Sequence, residues 1–118
     1  MPAAGAACRE GRDFVSAHLL SWGVPERVVD VAVLVTSELV ANAVTHGPPP
    51  VGLRLRLFAR CVRIEIGDSS PQPPRMLRPG YTEIGGRGLR LVDRLAARWG
   101  YTPQDAGKIV WCEVALPG

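Results

Sequence analysis

The longest apolar run in the chain predicts a helix that is buried on more than one side. Valines and a leucine lie on every side of residues 28–35. In the continuation, residues 36–47, four polar side chains share one stripe at about 100° per residue: Glu38, Asn42, Thr45 and His46. A carboxylate and an amide on such a helix need polar partners, because burying them unpaired costs several kcal/mol. A structural core pair and a binding site both meet this need.

An amphipathic helix is predicted ahead of this one, over residues 9–22. Val15, Leu19 and Trp22 share one stripe of it. Gly23 supplies a helix stop, and Pro25 suits the first turn of the helix that follows. The two helices are therefore expected to meet at a tight corner, with residues 1–8 disordered or forming an arm.

Two strands are predicted after the prolines at residues 48–50, which end the long helix. Apolar residues alternate with charged ones over residues 53–57 and 62–66, as is typical of an antiparallel hairpin with one apolar face. Asp68 follows Ile66 by two residues, so its carboxylate should point to the apolar side. Capping of the turn at Ser69-Ser70 and acceptance of hydrogen bonds inside a pocket both fit this position.

A loop without periodicity covers residues 71–84, and at about fourteen residues it is long enough for a functional lid. Gly85-Gly86-Arg87-Gly88 ends this loop and opens a helix that is predicted over residues 89–99. The free N–H groups at such a helix N-terminus favour a phosphate, although hinges and tight turns use glycine as well.

The C-terminal segment predicts a second hairpin. Gly100 is expected to end the preceding helix, and the hairpin turn falls at residues 104–107. The last strand, over residues 108–116, alternates so that Val110, Cys112 and Val114 face the core. Trp111 then lies on the outer face, where it indicates either a partner surface or a site that the N-terminal arm covers.

Composition favours one domain, since 118 residues are enough for one core and too few for two. The net charge of +3 rests on arginines that are scattered among acidic residues, so direct nucleic-acid binding is not predicted. Three cysteines without a Cys-x-x-Cys pair are typical of a reducing compartment. The N-terminus lacks a signal-peptide pattern, and no uncharged apolar run reaches the roughly eighteen residues of a membrane span. A cytoplasmic protein without membrane contact is expected.

The order of these motifs resembles a known superfamily. Glu38-x-x-x-Asn42, the inward Asp68, a proline-rich lid and Gly85-Gly86-Arg87-Gly88-Leu89 are similar to the N, G1 and G2 boxes of the GHKL ATPases, such as gyrase, the histidine kinases and MutL. SELVANAVTHG, GGRGLRLVDRLAARWG and GKIVW resemble the short form found in bacterial anti-sigma factor serine kinases of the actinobacterial type. The match covers about residues 13–116.

The resemblance implies a single Bergerat-type, histidine-kinase-like ATP-binding domain over residues 1–118. Its fold would be an α/β (α+β two-layer) sandwich with helices on one face of a mixed, mainly antiparallel sheet. Glu38 would act as the general base, Asn42 would bind the Mg²⁺ that bridges the phosphates of ATP, and Asp68 would accept from the adenine amino group. The other implied contacts to the nucleotide come from His46, Gly85, Gly86, Arg87, Gly88 and Leu89.

Three departures from the family pattern bear on activity. Ser69-Ser70-Pro71 stands where glycines usually follow the aspartate, residues 1–7 contain no counterpart of the usual first strand, and Ile109 stands where a hydroxyl residue often follows the lysine. Nucleotide binding is expected from the boxes that remain, and catalytic competence stays open.

The implied function is that of a cytoplasmic, Mg²⁺-ATP-dependent serine/threonine kinase. It would phosphorylate an anti-sigma factor antagonist and sequester a sigma factor when that antagonist is absent. Two alternatives stay open: a catalytically silent module in which ATP orders the lid for a protein partner, and an interaction domain that binds no nucleotide. Formation of a homodimer is also open, because the missing first strand affects the usual dimer surface.

Overall fold

The computed structural model describes residues 2–46, 51–70 and 88–117. Its elements in these ranges are α1 (Pro2–Ser21), α2 (Glu26–His46), β1 (Gly52–Leu57), β2 (Cys61–Asp68), α3 (Gly88–Leu95), β3 (Arg98–Gln104) and β4 (Gly107–Ala115). The helices pack on one face of a four-stranded sheet with the strand order β1-β2-β4-β3. The α+β two-layer sandwich is confirmed, and every strand pair in the described ranges is antiparallel, with no parallel pair of a mixed sheet among them.

Helix α2 forms the centre of the core, as its apolar run predicts. Val35 and Leu39 are at most 2% exposed, and the helix contacts α1, α3, β2 and β4. By length and a mean hydropathy of 1.7, its segment Glu26–Thr45 would also suffice to cross a membrane, yet half of that segment is buried within the protein. This burial against four other elements identifies α2 as the core helix of the domain.

Helix α1 begins at Pro2 and not near Arg9, so residues 2–8 are neither a disordered segment nor an arm. Alanines and their high helix propensity extend the helix toward the N-terminus, and Cys8 is buried in the core. The predicted stop is confirmed at Gly23, which has a φ of 78° and whose N–H donates to the carbonyl of Leu20 at 3.1 Å. A glycine adopts this left-handed conformation without strain.

Helix α3 ends at Leu95, so the prediction of a helix as far as Trp99 is wrong. The N–H of Ala97 donates to the carbonyl of Glu113 at 2.8 Å, which directs the chain into β3. Gly100 lies inside this strand and does not end a helix. A Cβ at Gly100 would lie 2.9 Å from the ring of Trp111, so the glycine permits a close approach between neighbouring strands.

The two hairpins and their alternation are confirmed. Leu55 pairs with Ile64 in β1 and β2, and the side chains of Val62, Ile64 and Ile66 are fully buried under the helices. In β4 the predicted core residues Val110, Cys112 and Val114 are at most 4% exposed. Period-2 alternation thus places one face of each central strand in the core.

The outer face of the sheet is covered by ion pairs. Arg63 donates to Glu65 and to Glu113, each at 2.8 Å. The guanidinium of Arg63 also lies 4.2 Å from the centre of the Trp111 ring, and that of Arg98 lies 5.7 Å from it. The arginines of its own sheet therefore cover part of Trp111, which is half-buried. Cation–π attraction between the guanidinium groups and the indole ring stabilises this contact. Residues 2–8 belong to α1 on the helix side of the sheet, so the predicted cover by an arm is wrong, whereas the partner surface stays a prediction.

Candidate functional site

Glu38 and Asn42 lie one helical turn apart near the C-terminal end of α2, as the sequence predicts. Glu38 is half-buried, and Asn42 is 7% exposed. Helix α1 holds the turn that carries Glu38: Arg12 Nη1 donates to Ser37 Oγ at 3.1 Å, and the Cys8 thiol donates to the Ser37 carbonyl at 3.6 Å. The carboxylate and the amide thus project from a helix whose position is set by contacts on both sides.

Asp68 ends β2 and points to the helix side of the sheet, which confirms the prediction from its phase with Ile66. Its Oδ1 accepts from Lys108 Nζ at 3.0 Å and from the backbone N–H of Ser70 at 2.9 Å. The side chains of Asp68 and Lys108 are only 1% and 3% exposed, and the two residues are directly paired across β2 and β4. Asp68 therefore caps its turn through Oδ1, one of the two roles that the sequence leaves open.

The second oxygen of this carboxylate supports the other role. Oδ2 of Asp68 is buried, and it has no hydrogen-bond partner within the described part of the chain. Leaving a buried acceptor without a donor costs about 1–3 kcal/mol, so Oδ2 requires a donor from beyond the described residues, which water, a ligand or another part of the chain can supply. The exocyclic amino group of adenine is a donor of this kind, and the residues present therefore fit an adenine nucleotide.

Lys108 is the part of this site that the sequence reasoning missed. The sequence carries two signals for it. It is the chain's only lysine, and it precedes Val110 and Cys112 by even numbers of residues, which places its side chain on the core face. A lysine on a core face requires a buried acceptor, and Asp68 provides it.

A cavity of about 410 Å³ borders the same end of the sheet, and its size lies within the usual range of ligand pockets. Asp68 and Lys108 contribute to its lining. Gly52, Gly67 and Ile109 line it as well, and these three positions belong to the outer face of the sheet, opposite in phase to the side chains of Asp68 and Lys108. Because the Asp68 carboxylate is turned toward the helices and is 1% exposed, this cavity does not serve Oδ2.

The N-terminus of α3 begins at Gly88, as the glycine cluster predicts, and α3 packs against α2. The other residues of the predicted phosphate segment, Gly85, Gly86 and Arg87, lie outside the described residues. The side chains of Leu89 and His46 also lie outside the described part, so their roles stay predictions from the sequence.

The three cysteines do not offer a nucleophile to this site. All three are free thiols. Burial raises the pKa of Cys8 despite a hydrogen bond to Ser37 and the nearby charge of Arg12, and burial raises the pKa of Cys112 to about 12. Burial likewise raises the pKa of Cys61. A thiol with a raised pKa stays neutral near pH 7, whereas nucleophilic cysteines are thiolates.

Gly107 faces the backbone of Asp68 so closely that only glycine fits. A Cβ at Gly107 would overlap the carbonyl oxygen of Asp68 and lie 2.7 Å from Cα of Ser69. We expect Gly107→Ala to lower the free energy of unfolding by roughly 1–3 kcal/mol, the usual cost of overpacking, because the opposing group is backbone and cannot rotate away. Urea denaturation measures the change.

Gly67→Ala is the matched control for this prediction, because a Cβ at Gly67 would meet nothing within 4 Å. It places the same extra methyl group in β2, one residue before Asp68. The control should unfold within about 0.5 kcal/mol of the wild type. Equal destabilisation by the two alanines would show that the close approach at Gly107 is not what limits that position.

Comparisons with known proteins agree with this fold. The family model of the histidine kinase-like ATPase domain matches residues 1–113. An uncharacterized protein of Streptomyces coelicolor is 31% identical over 84 residues, which cover 67% of this chain and 80% of that protein.

A solved structure is similar as well. The histidine kinase domain from the blue-light activated histidine kinase of Erythrobacter litoralis EL346 matches 79% of this chain with a TM-score of 0.57 and 27% identity. This chain spans 46% of that structure, which is less than half of its length.

Proposed function

The chain belongs to the histidine kinase-like ATPase domain family, within the GHKL superfamily, and on this premise we propose that it binds Mg²⁺-ATP between its sheet and its helices. One observation carries the proposal: the buried Oδ2 of Asp68, an acceptor that lacks a donor within the described ranges. The amino group of adenine supplies the missing hydrogen bond. GTP would bind less well, because guanine carries a carbonyl oxygen at this place and two hydrogen-bond acceptors, that oxygen and Oδ2, would face each other.

The metal of this nucleotide is assigned to Asn42. Its amide is almost buried on α2, one turn beyond Glu38, and an amide oxygen is a ligand that Mg²⁺ accepts. No group of three or more histidine, cysteine, aspartate or glutamate side chains suited to a metal occurs in residues 2–46, 51–70 and 88–117. The remaining ligands would therefore come from the phosphates and water, as is common for Mg²⁺ at nucleotide sites.

The proposed reaction is transfer of the γ-phosphoryl group to a serine or threonine hydroxyl of a protein. Glu38 would accept the proton of that hydroxyl, a role that a half-buried carboxylate next to the metal site can perform. The similarity of residues 36–47 and of the glycine-rich segment to anti-sigma factor kinases supports an anti-sigma factor antagonist as the acceptor and a sigma factor as the sequestered partner. The protein would act in the cytoplasm, without direct contact to nucleic acid.

The test combines a nucleotide titration with a transfer assay. ATP labelled at the γ-phosphate is mixed with the protein, Mg²⁺ and a panel of purified anti-sigma factor antagonists, and the label on each antagonist is measured. We expect saturable Mg²⁺-ATP binding and labelling of one antagonist at a serine or threonine. Binding without labelling would replace the kinase by a module that ATP orders for a protein partner, and an absence of binding would contradict the nucleotide proposal altogether.

A further inference from the structure

The buried pair of Asp68 and Lys108 has a feature that an ion pair made only for stability does not need. Lys108 Nζ contacts Oδ1 of the carboxylate at 3.0 Å and the Ser70 carbonyl at 3.4 Å. The Ser70 N–H contacts the same Oδ1 at 2.9 Å. Two donors thus meet one oxygen, whereas Oδ2 is buried without a partner in the described chain.

This arrangement determines what Asp68 can offer a ligand. Two hydrogen bonds to Oδ1 prevent rotation of the carboxylate, so Oδ2 keeps one direction. The ammonium of Lys108 also compensates the negative charge, and an ionised carboxylate has acceptors only. A buried carboxylate without compensation is neutralised by a proton, and the resulting O–H is a donor.

We propose that Lys108 is a positioning residue that sets base selectivity at the nucleotide site. By pairing with Oδ1 and fixing the orientation of the Asp68 carboxylate, it directs Oδ2 as an acceptor that binds the amino group of adenine and rejects the oxygen of guanine. The inference rests on the proposed nucleotide binding and goes beyond it, because it assigns the choice between ATP and GTP to a lysine on the neighbouring strand. Lys108 itself does not contact the base.

The alternative is a lysine that only stabilises the sheet. Removal of one partner from a buried ion pair destabilises a protein in either case, so stability alone does not separate the two roles. The ratio of the dissociation constants for GTP and ATP separates them. If Lys108 is only structural, its removal lowers the folded fraction, which calorimetry reports as a lower binding stoichiometry. If Lys108 positions Asp68, its removal changes the ratio of the two dissociation constants.

The experiment measures this ratio for non-hydrolysable analogues of ATP and GTP with Mg²⁺ in the wild type and in two Lys108 variants. We expect the wild type to prefer the ATP analogue by roughly 5- to 150-fold, the equivalent of one unpaired group. Lys108→Met keeps most of the apolar stem and should reduce the ratio to within about 3-fold of unity. Lys108→Arg keeps a charged donor and should retain most of the preference.

Arg63→Met is the matched control, because Arg63 is also a cation bonded to carboxylates, half-buried on the opposite face of the same sheet, whereas Lys108 is fully buried. It should leave the ratio at the wild-type value. A wild-type ratio in Lys108→Met would overturn the inference, as would the same reduction in Arg63→Met.

A second comparison covers the case in which Lys108→Met does not fold. Asp68→Asn and the double variant Asp68→Asn/Lys108→Met both lack the carboxylate, and the double variant also lacks the unpaired ammonium. If Lys108 positions the side chain, the single variant presents its amide N–H group to the base and prefers the GTP analogue, and the double variant loses most of that preference. Equal preferences in both variants would overturn the inference. A wild type that binds neither analogue would overturn the proposed function as well, and this outcome is distinct from the others.

Discussion

Replacement of Glu38 by glutamine is expected to lower phosphoryl transfer to the protein acceptor by roughly 10²–10⁴, the usual effect of losing a positioned base. The affinity for Mg²⁺-ATP should stay within about 3-fold of the wild type. The reason for this separation is that, in the proposed reaction, the carboxylate accepts the proton of the acceptor hydroxyl in the transition state and is not needed to bind the nucleotide. Single-turnover transfer and calorimetric titration measure the two quantities independently.

Glu10→Gln is a matched control for Glu38→Gln, since it makes the same chemical change at an exposed position of α1. It should leave transfer and affinity unchanged. If Glu38 serves only to stabilise α2, its glutamine variant should lose stability and nucleotide affinity together, and transfer should fall only in proportion to the folded fraction. That pattern would remove Glu38 from the reaction.

Replacement of Asp68 by asparagine is expected to weaken ATP binding by roughly 5- to 150-fold, which corresponds to about 1–3 kcal/mol. The amide oxygen of the asparagine keeps the hydrogen bonds from Lys108 and the Ser70 N–H. The amide NH₂ group then takes the place of Oδ2 and faces the amino group of adenine, so that two donors oppose each other. GTP should gain relative to ATP. Competition between the two nucleotides for a fluorescent ATP analogue measures the change.

The same replacement should also lower the free energy of unfolding by about 3–5 kcal/mol, because it leaves the ammonium of Lys108 buried without its counter-charge. Binding is therefore best measured at low temperature, where the folded fraction is known. Asp105→Asn, an exposed change in the β3–β4 turn, controls for the substitution itself and should alter neither quantity. An unchanged ratio of ATP to GTP affinity in folded Asp68→Asn would show that Asp68 does not recognise the base of the nucleotide.

The parts of the fold that the sequence predicts correctly are those in which local pattern and tertiary environment agree. Helix α2 follows from an apolar run without a polar face, and the β1–β2 hairpin follows from strict alternation. The direction of Asp68 follows from its phase with Ile66, since successive side chains of a strand alternate between the two faces. Each of these predictions needs only the local pattern of apolar and polar side chains.

The parts that the sequence does not predict depend on contacts between distant residues. Trp99 continues an apparent helical pattern and Gly100 is typical of a helix stop, but pairing with β4 and the close approach of Trp111 place both in a strand. The early start of α1 depends on the burial of Cys8 beside α2. The role of Lys108 becomes visible only when β4 is paired with β2 and the lysine lies opposite Asp68.

Binding of Mg²⁺-ATP at the end of α2 is the central claim of this account, and calorimetric titration of a non-hydrolysable ATP analogue in Mg²⁺ and in EDTA tests it most directly. We expect the wild type to bind in Mg²⁺ and to lose affinity in EDTA. Asn42→Ala should bind at least about 10-fold more weakly than the wild type in Mg²⁺ and should match it within about 2-fold in EDTA, since the amide acts through the metal. No binding by the wild type, or an equal loss by Asn42→Ala in both conditions, would contradict the claim.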